Sequence, residues 1–171
     1  MDVIGYHDQV VIPIEIRPSV IGYPARLSGH GEIGVCQEIC VPFAFDFALV
    51  LKEGGHKVPA IIAAMIDQPV SAETAKVEAV TCLAEPTEKG LKITAKVAMP
   101  CAGSPEVVVI EAGDGDIWVS GASSVRDGVV LTASAEMINL FGDPIALNRS
   151  AMRITVLGSE RAVDILGCPG G

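Results

Sequence analysis

The chain has 171 residues, of which half are hydrophobic and only 4% aromatic, so it is long enough for one large or two small domains with a sizeable core. Its formal net charge of −9 argues against nucleic acid as a partner, because phosphate binding needs clustered Lys and Arg and the sequence has no such cluster. The longest aliphatic run, Ala60–Ile66, is far too short to span a bilayer, and no signal peptide is visible at the N-terminus. The 18 glycines and 11 prolines, with many Val and Ile residues, favour an all-β protein.

Three segments of the first third alternate between apolar and other residues, which predicts strands. Gln9–Ile16 is predicted as an edge or bulged strand, because Pro13 cannot donate a ladder hydrogen bond. Ala25–Val35 is predicted as a weaker strand whose three glycines, at 29, 31 and 34, let another backbone approach closely. Phe43–Leu51 is predicted as a strand that carries three of the chain's four phenylalanines.

The middle of the chain is predicted to connect two domains. Glu53–His56 is predicted as a loop and Pro59–Ile66 as a helix, because proline suits a first helical turn and Pro69 follows the last one. The expected domains are therefore a partial β-sandwich module with the first cysteine pair at 1–57, a helical linker at 58–70 and a C-terminal β-sandwich at 71–171.

The last hundred residues contain short strands separated by turns, at a spacing typical of a β-sandwich. The predicted strands are Lys76–Leu83, Leu91–Met99, Glu106–Glu111, Ile117–Ser120, Val129–Glu136, Arg153–Leu157 and Ala162–Leu166.

The five cysteines allow at most two disulfides. Cys36 and Cys40 lie close enough in sequence for a helical turn or a tight loop to join them, and the pair can open and close as a redox couple. A local clip, or two unrelated buried thiols, stays open as the alternative. Cys82 and Cys168 bracket the second half and predict a structural disulfide, whose long loop stabilises by over about 4 kcal/mol against roughly 2 kcal/mol for the short one. Cys101 is predicted to be a spare thiol.

The residues near the first cysteine pair offer its thiols no strong activation. Glu32 and Glu38 are carboxylates, which raise a thiol pKa, and the nearest cations in sequence are Arg26 and His30. We therefore expect slow reaction with small oxidants and fast exchange only when a partner supplies the attacking thiolate.

No cofactor and no metal site are predicted. A Cu(I) site built from Cys36, Cys40, Cys101 or Met99 is chemically suitable, but the sequence does not show that these residues lie together. The spacing of the other candidate residues does not indicate a metal or modification site. These are three histidines expected at the surface (His7, His30, His56), a turn at Asp114–Asp116 and a chance glycosylation sequon at Asn148–Ser150.

The segment Gly34–Pro42, GVCQEICVP, resembles the N-terminal periplasmic domain of the DsbD/ScsB thiol:disulfide interchange proteins, in its ScsB-like form. Ile4–Tyr6 with Val10–Pro13 is similar to the strand that precedes this motif. Arg149–Gly158 and Ala162–Cys168 are similar to the closing strands of that domain. The resemblance covers essentially the whole chain.

The resemblance implies an immunoglobulin-like β-sandwich with a dithiol at one end, and it makes Cys36 and Cys40 the catalytic pair of a protein-disulfide reductase. It also implies a periplasmic location, a membrane-embedded electron donor domain and thioredoxin-like periplasmic partners, with roles in cytochrome c biogenesis or copper tolerance. The chain starts almost at the first matched segment, so we expect a fragment or a truncated start whose copies could associate. The alternatives are a Cu(I)-binding protein that uses the same cysteines and a non-catalytic β-sandwich adaptor.

Overall fold

The computed structural model describes residues 4–18, 20, 23–51 and 55–170. It divides the chain into two compact units, Met1–Asp67 and Gln68–Gly171. Both units are built on β-strands, and α1 (Pro59–Ile66) is the one α-helix of the described residues. This confirms the predicted all-β class and the predicted bounds of the helix.

The first unit contains a long antiparallel hairpin of β1 (Ala25–Cys36) and β2 (Cys40–Leu51). Both predicted strands are confirmed, and each extends to include a cysteine. The predicted strand at Gln9–Ile16 is wrong, because residues 9–18 form no strand. Alternation shows only that a segment could present one apolar face. A ladder also needs a partner strand, and Pro13 cannot donate to one. Part of the predicted loop, residues 53 and 54, lies outside the described residues.

The two faces of the hairpin differ in chemistry, because successive side chains of a strand point to opposite sides. One face pairs Phe43 with Ile33, Phe45 with Gly31 and Phe47 with Gly29. The ring centroids of neighbouring phenylalanines are 6.2 and 6.5 Å apart, so the rings form a continuous row. The other face is more polar and carries a hydrogen bond of 2.9 Å between His30 Nδ1 and Asp46 Oδ1. No described residue of the first unit is buried.

The second unit is a sandwich of two sheets. A four-stranded sheet has the order β3-β11-β10-β6, and a five-stranded sheet has the order β4-β5-β9-β7 with β8 paired to β9. The strands are β3 (Val70–Ser71), β4 (Ala79–Pro86), β5 (Leu91–Ala98), β6 (Val107–Glu111), β7 (Ile117–Val119), β8 (Ser123–Asp127), β9 (Val130–Asn139), β10 (Arg153–Leu157) and β11 (Ala162–Leu166).

One apolar core lies between these sheets. Alternate residues of β5 and β9 face alternate residues of β6, β10 and β11, and the largest of the fully buried side chains include Ile93, Leu131, Met137 and Ile154. Two inner faces that interdigitate in this way define a β-sandwich. The predicted fold class, an all-β immunoglobulin-like β-sandwich, is confirmed.

The structure differs from the predicted strands at the start of β4, and it contains two short or exposed strands that were not predicted. β4 begins at Ala79 rather than Lys76, because Lys76 has φ of 58° and a left-handed residue cannot start a strand. β3 and β8 were not predicted. β3 has two residues, and β8, Ser123–Asp127, is mostly exposed and lacks an apolar alternation.

Candidate dithiol site

The two cysteines of the GVCQEICVP segment face each other where β1 passes into β2. Cys36 and Cys40 are the last register pair of the hairpin, with Cα atoms 4.0 Å apart and their sulfur atoms bonded. The turn between them is closed by the Gln37 amide, which donates to the Ile39 carbonyl at 3.1 Å. This bond is called the hairpin disulfide below. A tight turn, rather than a helical one, therefore brings the two sulfur atoms together.

The hairpin disulfide is exposed and lies beside an apolar groove of about 910 Å³. Both cysteines are exposed, and so are the large apolar side chains around them. Ile39 at the turn is 74% exposed and Val35 is 58% exposed. Exposed apolar side chains clustered around a disulfide in this way offer a surface on which another protein can pack. The groove is lined by Val35, Cys36, Gln37, Glu38, Ile39, Val41, Pro42 and Phe43.

The charges of the hairpin do not favour a thiolate. The segment from Leu27 to Leu51 contains no Lys or Arg, and its turn carries the carboxylate of Glu38. The ring of His30 hydrogen-bonds the Asp46 carboxylate rather than a sulfur atom. Low thiol pKa values arise beside cations or helix N-termini, and the residues from Leu27 to Leu51 include neither an Arg or Lys side chain nor a helix.

Cys82 and Cys168 are bonded inside the second unit, and this bond is called the core disulfide below. Cys82 lies in β4 and Cys168 follows β11, so the bond joins the two sheets, with Cα atoms 5.5 Å apart. The cysteines are 1% and 0% exposed. The Cys82 amide donates to the Pro169 carbonyl at 2.8 Å, and Arg149 Nη1 donates to the Cys82 carbonyl at 2.9 Å. These hydrogen bonds hold the backbone at Cys82 against the segment that follows β11.

Cys101 is a free, exposed thiol in the second unit. Its sulfur accepts a hydrogen bond from the Gly103 amide at 3.4 Å. Beside it lies an ion pair that the sequence analysis missed, in which Arg126 Nη2 donates to Glu106 Oε1 at 2.7 Å and Arg126 Nε donates to Glu106 Oε2. These bonds lower the pKa of the Glu106 carboxyl and raise the pKa of Arg126. Twenty residues separate the pair, and nothing local in the sequence points to it.

The remaining candidates from the sequence were the three histidines, a metal site and the turn at Asp114–Asp116. His7, His30 and His56 are exposed, as expected. Within 4–18, 20, 23–51 and 55–170, no three His, Cys, Asp or Glu residues are grouped so that they could hold a metal. The Asp116 amide donates to Asp114 Oδ1 at 3.0 Å, which is the pattern of an ordinary turn. Over the same described ranges, no helix has the length and hydropathy needed to cross a membrane.

These features define a class of protein in which a β-sandwich domain is joined to a hairpin with an exposed disulfide. A crystal structure of the N-terminal periplasmic domain of ScsB from Proteus mirabilis resembles this chain, with a TM-score of 0.59 and 14% sequence identity. The match covers 85% of this chain and 58% of that one, so the chain spans little more than half of the ScsB domain. No family model and no curated protein matches the sequence.

The comparison confirms, at the level of the fold, the resemblance that the cysteine motif suggested. The TM-score of 0.59 supports a common fold, and because the identity is only 14%, the activity has to be argued from the site. Both cysteine pairs are at bonding distance, and one pair is exposed whereas the other is buried.

Proposed function

We propose that the chain is a thiol:disulfide exchange module that passes electrons through Cys36 and Cys40 to thioredoxin-like periplasmic proteins. The observation that supports this most directly is the position of the hairpin disulfide, exposed at a turn and beside an apolar groove. A bond placed for stability gains most from closing a long loop, and the core disulfide does so with a separation of 86 residues. The hairpin disulfide closes a separation of 4 residues, and it is the accessible one.

The location and the electron donor are part of the same proposal. The ScsB domain that shares the fold is described as periplasmic, and disulfides persist in oxidising compartments such as the bacterial periplasm. We therefore place this chain in the periplasm, with a membrane-embedded domain as its electron donor. In this scheme residues 1–57 are the redox module, residues 58–70 the linker and residues 71–171 the supporting sandwich.

The chemistry consists of two exchange steps. A thiolate of the reduced pair attacks the partner's disulfide, a mixed disulfide forms, and the partner's other sulfur leaves as a thiolate that takes a proton from water. The second cysteine of the pair then attacks its neighbour's sulfur in the mixed disulfide. The hairpin disulfide forms again, and the partner leaves with both of its thiols reduced.

The test is the reduction potential of the hairpin disulfide in the full chain, measured by equilibration in dithiothreitol or glutathione buffers with thiol trapping and mass spectrometry. We expect a reversible couple above about −300 mV, because structural disulfides usually lie lower. The core disulfide should stay oxidised throughout the same titration, since both of its cysteines are buried.

Serine variants separate the exchange function from its alternatives. Cys36→Ser and Cys40→Ser should each abolish turnover with a thioredoxin-like partner, and loss of the resolving cysteine should trap the mixed disulfide. Full turnover by either variant would contradict the proposal. A hairpin pair that is reduced only below about −300 mV, in the range of structural disulfides, would indicate a local clip. One equivalent of Cu(I) held by both thiols would indicate a copper protein.

A further inference from the structure

The strand β1 contains three glycines, and two of them are explained by packing across the hairpin. A Cβ atom on Gly29 would lie 2.5 Å from Cζ of Phe47, and one on Gly31 would lie 2.6 Å from Cζ of Phe45. The phenylalanine rings therefore occupy the space of the two missing side chains. Gly29 and Gly31 are required by the aromatic row on this face.

Gly34 has no such explanation. A Cβ atom placed there would meet a single neighbouring atom within 4 Å, the sulfur of Cys36 at 3.9 Å, which is an ordinary contact. Gly34 is not among the residues with positive φ, so its backbone accepts any side chain. A glycine inside a strand weakens that strand, because it has no side chain to pack and loses more conformational freedom on folding.

The position of Gly34 connects this open space with the hairpin disulfide. Gly34 and Cys36 are two residues apart in β1 and therefore share a face of the hairpin. The missing side chain would stand against the Cys36 sulfur, so its absence leaves that side of the disulfide uncovered. A glycine that neither backbone conformation nor packing requires often marks the point where another backbone approaches closely.

We infer that Gly34 is the approach point for the partner protein, whose backbone lies against the Gly34 Cα while sulfur exchange takes place. The inference rests on the proposed function and adds a positioning residue to it. In the exchange that reduces this chain, a partner thiolate attacks one sulfur of the hairpin disulfide and forms a new S–S bond. The other sulfur leaves with the electron pair and takes a proton from water. A side chain at position 34 obstructs a protein thiol that must dock, and it leaves a path for a small thiol.

The experiment measures how fast reduced thioredoxin and reduced glutathione each reduce the hairpin disulfide in the oxidised full-length chain, by acid quench and thiol trapping. Gly34→Val should lower the thioredoxin rate by about tenfold or more, since small displacements of reacting groups have effects of this size or larger. The glutathione rate and the reduction potential should not change. Gly34→Ala should give an intermediate thioredoxin rate, and the melting temperature should hold or rise because valine favours strands.

Ser28→Val is the matched control, because Ser28 lies in the same strand and on the same face but six residues further from the disulfide. It should leave both rates unchanged. A Gly34→Val variant that exchanges with thioredoxin at the wild-type rate overturns the inference alone. Equal slowing with both thiols, or a lowered melting temperature, also overturns it, because either result indicates a structural role. If the wild-type chain exchanges with neither thiol, the proposed function fails and the inference fails with it.

Discussion

Removing the core disulfide should cost far more stability than removing the hairpin disulfide. The cysteines of the core disulfide are 86 residues apart, and the chain-entropy model gives roughly 4.6 kcal/mol for a loop of that length. For the separation of 4 residues in the hairpin disulfide, the same model gives roughly 2 kcal/mol. Small domains are stable by only about 5–15 kcal/mol, so the loss of the core disulfide would leave the sandwich marginal.

The single tryptophan makes the measurement specific to the sandwich. Trp118 lies in β7, so its fluorescence follows the unfolding of the second unit in urea. With an m value near about 1.5 kcal/mol/M, the double variant Cys82→Ala/Cys168→Ala should unfold at a urea concentration about 3 M lower than the wild type. The matched control, Cys36→Ala/Cys40→Ala, should leave this transition in place, because its cysteines belong to the other compact unit.

Two results would refute this reasoning. One is a midpoint that falls equally in both double variants, which would mean that the hairpin disulfide contributes to the stability of the sandwich. The other is a loss below about 1 kcal/mol in the core variant, which is far less than loop closure predicts.

Two further predictions concern the sandwich. The hydrogen bonds from Arg126 hold the pKa of Glu106 below its ordinary value, so the pair stabilises the fold above that value, and this contribution is lost as the pH falls through the lowered pKa. Glu106→Gln should therefore lower the stability by about 1–2 kcal/mol at pH 7 and flatten the acid limb of a stability–pH curve, and an unchanged acid limb would contradict this. A Cβ atom on Gly158 would lie against the carbonyl of Ala102, so Gly158→Ala should lower stability by about 2 kcal/mol or more in urea unfolding. Gly115→Ala is the control, since nothing lies within 4 Å there, and equal losses would refute the steric argument.

The sequence predicted most reliably the elements whose signals are local. The bounds of α1 followed from Pro59 and the proline after its end, and the two hairpin strands followed from apolar alternation in Ala25–Val35 and Phe43–Leu51. The segment at Gln9–Ile16 shows the same alternation and forms no strand, because alternation cannot supply a partner strand. β8 was missed for the opposite reason. It pairs with β9, but its exposed residues carry no apolar pattern.

The same distinction applies to the candidate site. The spacing of Cys36 and Cys40 was enough to suggest a bond, because residues so close in sequence need only a turn to meet. The groove around them depends on which side chains the hairpin leaves exposed, and the Glu106–Arg126 pair depends on contacts across twenty residues. Neither feature can be deduced without the register of the strands.

The length of the hairpin determines how far the hairpin disulfide lies from the strand ends. Twelve residues in each strand, at a rise of roughly 3.4 Å per residue, carry the disulfide roughly 37 Å from the strand ends at Ala25 and Leu51. The hairpin disulfide therefore lies at the tip of a long two-stranded ladder. In the proposed function, a partner needs to contact only the turn of three residues and the strand ends on either side of it.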